Sequence, residues 1–230
     1  MGRGSRVYAV IADDLTGAGD TGVQFARAGL RTRALMGEWK DEAVRETDVI
    51  VVNTESRGLP PERAYERVAE AAARLRAVGA RPVYKKIDST LRGPVGAELD
   101  AVLDAFGLEL AVVCPAFPDN GRAVVGGFLL VGGQPVSRTA VSRDPVAPVK
   151  ESFLPALLAG QTRRPVRHLD LREVEAGPRR LADALAASRQ PGGSVVVVDA
   201  ATDDDLETIA SAAGQVEGGS VLLVGSAGLA

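Results

Sequence analysis

The sequence predicts an α/β protein, a three-layer Rossmann-like sandwich with a mostly parallel sheet and a β-hairpin insertion. Short segments rich in valine, isoleucine and leucine alternate with longer amphipathic segments of helical period, which is typical of βαβ units with right-handed crossovers. Most of the short segments are apolar at consecutive positions, as expected for strands covered on both faces. A chain of 230 residues is long enough for one such domain, and we predict a single domain over residues 1–230.

Eight segments are predicted as strands because they are short, apolar and rich in aliphatic residues. They are Val7–Ala12, Arg33–Met36, Asp48–Asn53, Pro82–Ile87, Leu110–Cys114, Val166–Leu169, Ser194–Asp199 and Ser220–Val224.

Helices are predicted between these strands. Pro60-Pro61 opens one helix that Gly79 closes, and Gly93-Pro94 opens another that Gly107 closes, because proline suits a helix start and glycine a helix end. Four more helical segments are predicted at Gly17–Ala28, Lys150–Ala159, Leu171–Ala187 and Asp203–Ala213.

The alternation of strands and helices is interrupted between residues 121 and 148. Gly126–Val136 is predicted as a β-hairpin with a glycine turn. The residues that follow, as far as Pro148, are predicted as loop. Such an insertion can serve as a lid or as a dimer surface, and the sequence does not choose between them.

Composition excludes several classes of function. The net charge of −3 provides no general attraction to nucleic acid or to an anionic membrane. No apolar run approaches the roughly 18 residues of a membrane span, and the first apolar run ends at Asp13, too early for a signal peptide. Cys114 is the only cysteine and His168 the only histidine, so we expect a cytoplasmic protein with no disulfide and no metal site of its own.

The first candidate site is the acidic loop after the first predicted strand. Asp13 and Asp14 follow that strand directly, at the edge of a parallel sheet where ligands bind. One of them is our candidate for a general base, and either carboxylate is able to accept hydrogen bonds from substrate hydroxyls. The structural alternative is helix capping. Because the two residues are adjacent at a strand end, we expect their side chains to point in different directions.

Three glycines in the same loop have the spacing of a dinucleotide-binding turn. Gly17, Gly19 and Gly22 form G-x-G-x-x-G, which would favour a nucleotide-dependent oxidoreductase. In that motif a pyrophosphate lies at the helix N-terminus. Here the carboxylates of Asp13 and Asp14 precede the helix, and their charge repels an anion. We therefore keep the oxidoreductase only as a less favoured alternative.

The second candidate site is the segment from Lys85 to Gly93. If the strand continues through it, Lys85 and Lys86 alternate between faces, so one lysine enters a pocket and the other is solvated or paired. We favour Lys86 for the pocket. Asp88, Ser89, Thr90 and Arg92 follow within a few residues, with helix capping as the alternative for the first three.

A further basic residue follows the third predicted strand. Arg57 could clamp a carboxylate with two hydrogen bonds, or it could be an ordinary surface arginine. Together, the acidic loop and the basic segment are expected to form opposite walls of a pocket for a small polyhydroxylated acid.

Five segments of the chain together resemble the N-terminal domain of the four-carbon acid sugar kinases. They are Asp13–Asp20, Tyr84–Glu98, Pro115–Gly132, Arg143–Ser152 and Gly225–Ala230, and they run in order along essentially the whole chain. The resemblance implies an enzyme that phosphorylates threonate, erythronate or 3-oxo-tetronate-type acids with ATP. It also implies that the N-terminal domain holds the sugar acid and a separate C-terminal domain holds the nucleotide.

Carried over by position, the resemblance implies a set of substrate-binding residues. The full set, with the neighbours in the same loop, is Asp13, Asp14, Arg57, Lys86, Ile87, Asp88, Ser89, Thr90 and Arg92. No nucleotide-binding residue is expected in this chain, because the sequence contains no G-x-x-x-x-G-K-[S/T] motif, although the family need not use one.

The sequence ends at Ala230, where the resemblance places the approach to the second domain. We therefore expect the chain to be the substrate-binding half of the enzyme and to be inactive alone. ATP and Mg²⁺ are expected on a C-terminal nucleotide-binding domain, which would be its partner, and a homodimer is left open. The alternative is a stand-alone sugar-acid-binding or regulatory domain without kinase activity.

Overall fold

The computed structural model describes residues 7–37, 39, 44, 46–217 and 221–230, and their architecture is the predicted α/β sandwich. Eleven strands are formed by these residues: β1 (Tyr8–Ala12), β2 (Thr32–Leu35), β3 (Val49–Asn53), β4 (Arg81–Lys86), β5 (Leu110–Cys114), β6 (Arg122–Val125), β7 (Phe128–Val131), β8 (Gln134–Pro135), β9 (Val166–Leu169), β10 (Ser194–Val198) and β11 (Val221–Gly225). The eight predicted strands are confirmed, with ends that differ by at most one residue, although the predicted start at Ser220 lies outside the described residues.

Eight of the strands form one sheet in the order β2-β3-β1-β4-β11-β5-β10-β9, and every neighbouring pair is parallel. The chain starts near the middle of this sheet, adds β3 and β2 on one side of β1, and then crosses to add β4 on the other side. Loops at such a reversal of strand order diverge and leave a crevice at the carboxyl ends of the strands. Ala12, the last residue of β1, pairs with both Asn53 and Lys86, so the loops that follow β1, β3 and β4 start side by side.

The helices flank this sheet. They are α1 (Leu15–Arg27), α2 (Pro61–Ala77), α3 (Val95–Phe106), α4 (Leu154–Ala159), α5 (Leu171–Glu175), α6 (Pro178–Ala186) and α7 (Asp203–Gln215). Gly79 and Gly107 follow α2 and α3 with φ angles of +75° and +64°, the left-handed conformation that commonly ends a helix. None of the helices that the structure describes is both long enough and apolar enough to cross a bilayer.

Two helix predictions were wrong in extent. The helix predicted over Leu171–Ala187 is two helices, because Gly177 adopts a φ of +91° and Pro178 cannot donate the hydrogen bond that a continuous helix needs. The helix predicted over Lys150–Ala159 begins only at Leu154. The preceding Phe153 is extended and forms a bridge with Phe128 of β7.

The predicted hairpin is confirmed, and it belongs to a small antiparallel sheet. β7 and β8 are joined by Gly132-Gly133, with φ angles of +57° and +78°, as a tight hairpin turn requires. The sequence analysis did not predict β6, which pairs with β7 to complete the three-stranded sheet. The buried carboxylate of Asp199 accepts hydrogen bonds from the backbone N–H groups of Gly126 and Gly127 at 2.6 and 2.9 Å and so ties this sheet to the end of β10.

Candidate functional site

A polar cavity of about 280 Å³ lies at the carboxyl edge of the large sheet. The loops after β1, β3, β4, β5 and β11 all contribute to its walls. A wider cavity of about 450 Å³ lies next to it, with Arg57 in both walls, but its lining is mainly apolar and includes Leu59, Val146 and Leu157. Recognition of a charged, hydroxylated ligand needs convergent polar groups, so the smaller cavity is the candidate site.

The acidic loop forms one wall of this cavity. Asp14 is the N-cap of α1, and its Oδ1 accepts a hydrogen bond of 2.9 Å from the backbone N–H of Gly17. The same carboxylate lines the cavity. Asp13 is only 1% exposed and lies behind the wall. Asp14 therefore caps helix α1 and also lines the candidate site, so the two interpretations of this residue do not exclude each other.

Arg57 joins the two carboxylates. Its Nε and Nη2 donate to the two oxygens of Asp13 at 2.8 and 3.0 Å, and its Nη1 donates to Asp14 at 2.8 Å. The two aspartates occupy different positions, as expected, because Asp14 lines the cavity and Asp13 is buried behind it, and both contact this guanidinium. Burial opposes a charge here, but the hydrogen bonds to Asp13 and the surrounding carboxylates raise the pKa of Arg57 above its ordinary value. The N–H donors of Arg57 are already bound to the protein's own carboxylates, so any ligand carboxylate would have to share these donors.

Among the cationic side chains that line the cavity, Lys86 makes the fewest hydrogen bonds to the described part of the protein. It is the last residue of β4 and 6% exposed, and its Nζ lines the cavity and donates to the carbonyl of Ile87 at 2.8 Å. Burial lowers the pKa of Lys86, while the nearby Asp13 and Asp14 act in the opposite sense. Because an ammonium has three donors and the structure shows one hydrogen bond among the described residues, Lys86 has donors left for a ligand.

Gly17 makes room for this lysine. A Cβ atom at Gly17 would lie 2.6 Å from Lys86 Nζ and 2.5 Å from Asp14 Oδ1, so both of these side-chain ends would have to move away. Gly22 packs against Val51 and Thr32, where a Cβ would make ordinary contacts at 3.6 and 3.7 Å. The close approach of Lys86 and Asp14 gives the first glycine of the G-x-G-x-x-G spacing a local packing reason that does not involve a dinucleotide.

For the lysine outside the pocket the sequence left two outcomes open, solvated or paired, and the structure shows a pair. Lys85 is fully buried on the opposite side of the strand, and its Nζ lies 2.7 Å from Oε2 of Glu98 in α3. Because successive side chains of β4 point to opposite faces of the sheet, the two adjacent ammonium groups lie in different environments.

The loop after β4 forms the other wall around Asp88. Arg92 donates to both oxygens of Asp88 at 2.8 and 3.0 Å, Thr90 donates to the same carboxylate, and Arg92 also reaches Asp144 at 3.2 Å. Although burial alone would raise it, the hydrogen bonds from Arg92 and Thr90 hold the pKa of Asp88 well below its ordinary value. Asp88 is therefore an anion that presents acceptor oxygens to the cavity.

Backbone geometry makes this loop compact. Gly93 has a φ of +96°, and a Cβ there would lie 2.7 Å from the carbonyl oxygen of Arg57. The loop that holds Asp88 is thereby packed directly against the loop that carries Arg57. The two walls of the cavity support each other through this contact.

The structure brings the predicted site residues together in two layers. Those that line the cavity are Asp14, Arg57, Lys86, Asp88, Ser89 and Arg92. Asp13 and Thr90 lie behind them and bind the lining residues, and the side chain of Ile87 is fully buried, so Ile87 contributes through its carbonyl.

Seven further lining residues were not among the predicted site residues: Thr16, Gly17, Asp20, Phe117, Asn120, Ser226 and Ala227. Asn120 and Ser226 follow β5 and β11, which end at the same sheet edge, and that position is the signal that could have found them. The Ser226 hydroxyl donates to the carbonyl of Ala116 at 2.9 Å and fixes the two loops together. In the part of the chain that the structure describes, no group of three or more His, Cys, Asp or Glu side chains is arranged to hold a metal ion.

The chain is an α/β domain with a small cavity lined mainly by charged and polar side chains at the carboxyl edge of its sheet. A profile of the family described as "Sugar-binding N-terminal domain" matches residues 8–230. The chain belongs to this family of sugar-binding N-terminal domains, which confirms the resemblance found in the sequence.

Characterised relatives are kinases of four-carbon sugar acids. The chain is 46% identical over 209 residues to D-erythronate kinase of Heliobacterium modesticaldum, covering 89% of this chain and 47% of that protein. It is 45% identical over 240 residues to D-threonate kinase of Bordetella bronchiseptica, covering 99% of this chain and 54% of that protein. The chain thus spans about half the length of the curated relatives it matches.

A solved structure has the same fold. It is a domain of unknown function from Bordetella bronchiseptica, crystallised with bound citrate as a domain-swapped dimer. The two structures superpose with a TM-score of 0.86 at 44% identity, over 99% of this chain and 56% of that chain.

Proposed function

We propose that this chain is the substrate-binding half of an ATP-dependent kinase that phosphorylates four-carbon sugar acids of the threonate, erythronate or 3-oxo-tetronate type. The observation that carries the proposal is the position of Lys86, a buried ammonium with unused donors that lines a polar cavity together with the carboxylates of Asp14 and Asp88. Relatives at 46% and 45% identity that are named erythronate and threonate kinases support the same class of substrate.

The chemistry of the cavity matches the two kinds of group in a sugar acid. The ligand carboxylate pairs with Lys86, where the low exposure strengthens a charge-assisted hydrogen bond. The ligand hydroxyls donate to the carboxylates of Asp14 and Asp88, and Ser89 can donate or accept. A volume of about 280 Å³ is at the small end of the range for ligand pockets, which suits a ligand of few atoms.

Asp14 is the better candidate for the general base. Both oxygens of Asp13 are bound by Arg57, and its side chain is buried behind the cavity wall. Both oxygens of Asp14 also accept hydrogen bonds, from the N–H of Gly17 and from Arg57, but Asp14 lines the cavity, where a substrate hydroxyl can approach it. Asp13 then holds Arg57, and Arg57 in turn orients Asp14.

Phosphoryl transfer also needs groups that hold and neutralise a triphosphate. We assign ATP and Mg²⁺ to a second domain, equivalent to the part of the kinase relatives that lies outside the match with this chain. The two domains together would form the working enzyme in the cytoplasm, and this chain alone would bind the acid without phosphorylating it.

Ligand binding to the purified chain tests the proposal. We expect D-threonate or D-erythronate to raise the melting temperature, because a ligand that binds the folded state stabilises it. The neutral polyols threitol and erythritol, which lack the carboxylate, should give a much smaller shift. Stabilisation by NAD(P) but not by the acids would overturn the proposal in favour of an oxidoreductase.

An activity assay separates the kinase from a stand-alone binding domain. ATP-dependent phosphorylation of D-threonate should appear only when the nucleotide-binding domain is present. Turnover by the 230-residue chain alone would contradict the division of roles. Acid binding without turnover in the two-domain protein would instead favour a regulatory domain.

A further inference from the structure

The segment Arg143–Ser152 is part of the resemblance but takes no part in the function proposed so far. None of its residues, all of which the structure describes, lines the polar cavity. The segment closes the insertion that begins with the small sheet, and the sequence left open whether this insertion is a lid or a dimer surface. One of its side chains, that of Asp144, nevertheless reaches the wall of the site.

The two carboxylate oxygens of Asp144 have different partners. Oδ1 accepts hydrogen bonds from the backbone N–H groups of Val146 and Ala147 at 3.0 and 2.9 Å, which closes a local turn. Oδ2 accepts a hydrogen bond of 3.2 Å from Nη1 of Arg92. The two backbone hydrogen bonds, together with that from Arg92, hold the pKa of Asp144 below its ordinary value. An asparagine would close the same turn, so the contact with Arg92 is what the carboxylate adds.

Arg92 connects this segment to the site. Its Nε and Nη2 donate to the two oxygens of Asp88 at 2.8 and 3.0 Å, and both residues line the cavity. Because Asp88 lies only four residues away in the same loop, this pairing fixes the two groups relative to each other. Among the described residues, Asp144 is the only hydrogen-bond partner of the guanidinium from outside that loop, at a distance of 52 residues in sequence.

The loop that carries Asp144 is held in place on two sides. The backbone N–H groups of Asp144 and Val149 both donate to the carbonyl of Val141, at 3.2 and 3.3 Å, so the two ends of the loop meet at one point. On the other side, Val146 packs against Gly58, where a Cβ atom would lie 3.2 Å from Val146 Cγ1. Asp144 therefore contacts Arg92 from a fixed support.

We propose that Asp144 is a positioning residue for the acid-binding site. It holds Nη1 of Arg92 and so fixes the plane of the guanidinium, and with it the carboxylate of Asp88 at the cavity wall. The end of the insertion then supports the site. The inference rests on the proposed function for the identity of the ligand, and on geometry alone for the position of Arg92.

The test variant is Asp144→Asn. Its amide oxygen can still accept from the two backbone N–H groups, while the NH₂ group that replaces Oδ2 cannot accept from Arg92. Asp48→Asn is the matched control, because Asp48 also accepts from both a backbone N–H and a guanidinium, those of Arg31. Asp48 directly precedes β3 and so lies at the opposite edge of the sheet from the cavity. Both ion pairs are partly exposed, so both variants should fold.

Two readouts are measured on each protein. Calorimetry gives the affinity for D-threonate, which should fall about fivefold in Asp144→Asn, the scale of coupling between partly exposed charged groups. The ¹H–¹⁵N signals of the Arg92 guanidinium are recorded without ligand, and the hydrogens on Nη1 should exchange faster with water. In Asp48→Asn both readouts should stay as in the original chain.

A double variant shows whether Asp144 acts through Arg92. Arg92→Met alone should weaken the binding of D-threonate, and adding Asp144→Asn to it should cause no further loss, because the contact is already absent. A further loss in the double variant overturns the inference, since Asp144 would then act by another route.

The remaining outcomes separate this inference from the proposed function. If the original chain does not bind D-threonate, the proposed function fails, and the Arg92 signals alone decide the positioning role. Unchanged Arg92 signals or unchanged affinity in folded Asp144→Asn overturn the inference. If Asp144→Asn does not fold, Asp144→Ser takes its place, because a serine hydroxyl can also close the turn. Arg92 signals unaffected by that change overturn the inference equally.

Discussion

This domain contains two networks of arginine and carboxylate groups, and they differ in the hydrogen-bonding groups that they leave available to a ligand. At the carboxyl edge of the sheet, Arg57 binds Asp13 and Asp14 next to the cavity that Lys86 enters. Further along α3, Arg164 binds Asp100 and Asp104. Both networks contain buried ion pairs, so charge density alone does not identify the site.

The second network is closed by the protein's own side chains. Thr162 donates to Asp100 at 2.6 Å, and Tyr65 donates to Asp104 at 2.6 Å, so the cluster ties a loop to two helices. In the first network, Lys86 keeps unused donors and Asp14 keeps a face toward the cavity. The comparison shows that a candidate site is distinguished by polar groups that can still form hydrogen bonds to a ligand, at a place where loops diverge.

The largest expected effect is on catalysis at Asp14. In the two-domain enzyme, Asp14→Asn keeps the shape and the helix cap but removes the proton acceptor, so kcat should fall about 10²–10⁴-fold. Asp13→Asn should mainly lower the melting temperature, because it weakens the hold on Arg57. Steady-state kinetics of both variants checks this, and near-normal kcat and KM in both would show that the acidic loop is scaffolding.

The next largest effect is on ligand affinity at Lys86. Replacing it with methionine should weaken binding of D-threonate by about 1.5–3 kcal/mol, the range for hydrogen bonds to charged groups. Lys150→Met is the matched control, since Lys150 is exposed and lies outside the polar cavity. Unchanged affinity by calorimetry in Lys86→Met would mean that the ligand carboxylate binds elsewhere.

Most of the fold could be predicted because its signals are local. Consecutive apolar residues marked the strands of the parallel sheet, and glycine and proline marked most helix ends. The errors came from contacts that only the fold supplies. Phe153 is held extended by its bridge to Phe128, and β6 is a strand because β7 lies beside it.

The lining of the cavity was predictable in part, and the contacts between its residues were not predictable. The rule that strands end at one edge brought Asp14, Lys86 and Asp88 together correctly. No local pattern shows that Arg57 would turn to Asp13 and Asp14 across 44 and 43 residues of sequence. The ion pair between Glu98 and Lys85 was equally hidden, because an acid in the first turn of a helix is ordinarily explained by the helix dipole.

A third prediction sharpens the contrast between the networks. Asp100→Asn should lower stability by about 1–3 kcal/mol, the cost of leaving buried partners without a charged acceptor. Binding of D-threonate should not change, since Asp100 and its partners lie outside the cavity. Denaturant unfolding and calorimetry on the same sample measure both quantities, and a loss of affinity at full folding would show that the second network also serves the site.

The smallest expected effect is the pH dependence of the stability that ionised Asp88 contributes, which appears only at acid pH. Its pKa is depressed in the folded protein, where Arg92 and Thr90 oppose the effect of burial, so the unfolded chain takes up a proton at a higher pH than the folded chain does. The stabilisation from its ionised form is therefore complete above the ordinary carboxyl pKa of about 4 and is lost as the pH falls toward the depressed value.

The variant Asp88→Asn removes this group, so the variant should be less stable than the original chain at pH 7. The difference should narrow between about pH 4 and pH 2, where the original chain loses the contribution of Asp88. Melting temperatures of the two proteins over this range measure the effect. A constant difference at every pH would mean that the ion pair with Arg92 contributes nothing that titrates, and Asp88 would then be better explained by the packing of its loop.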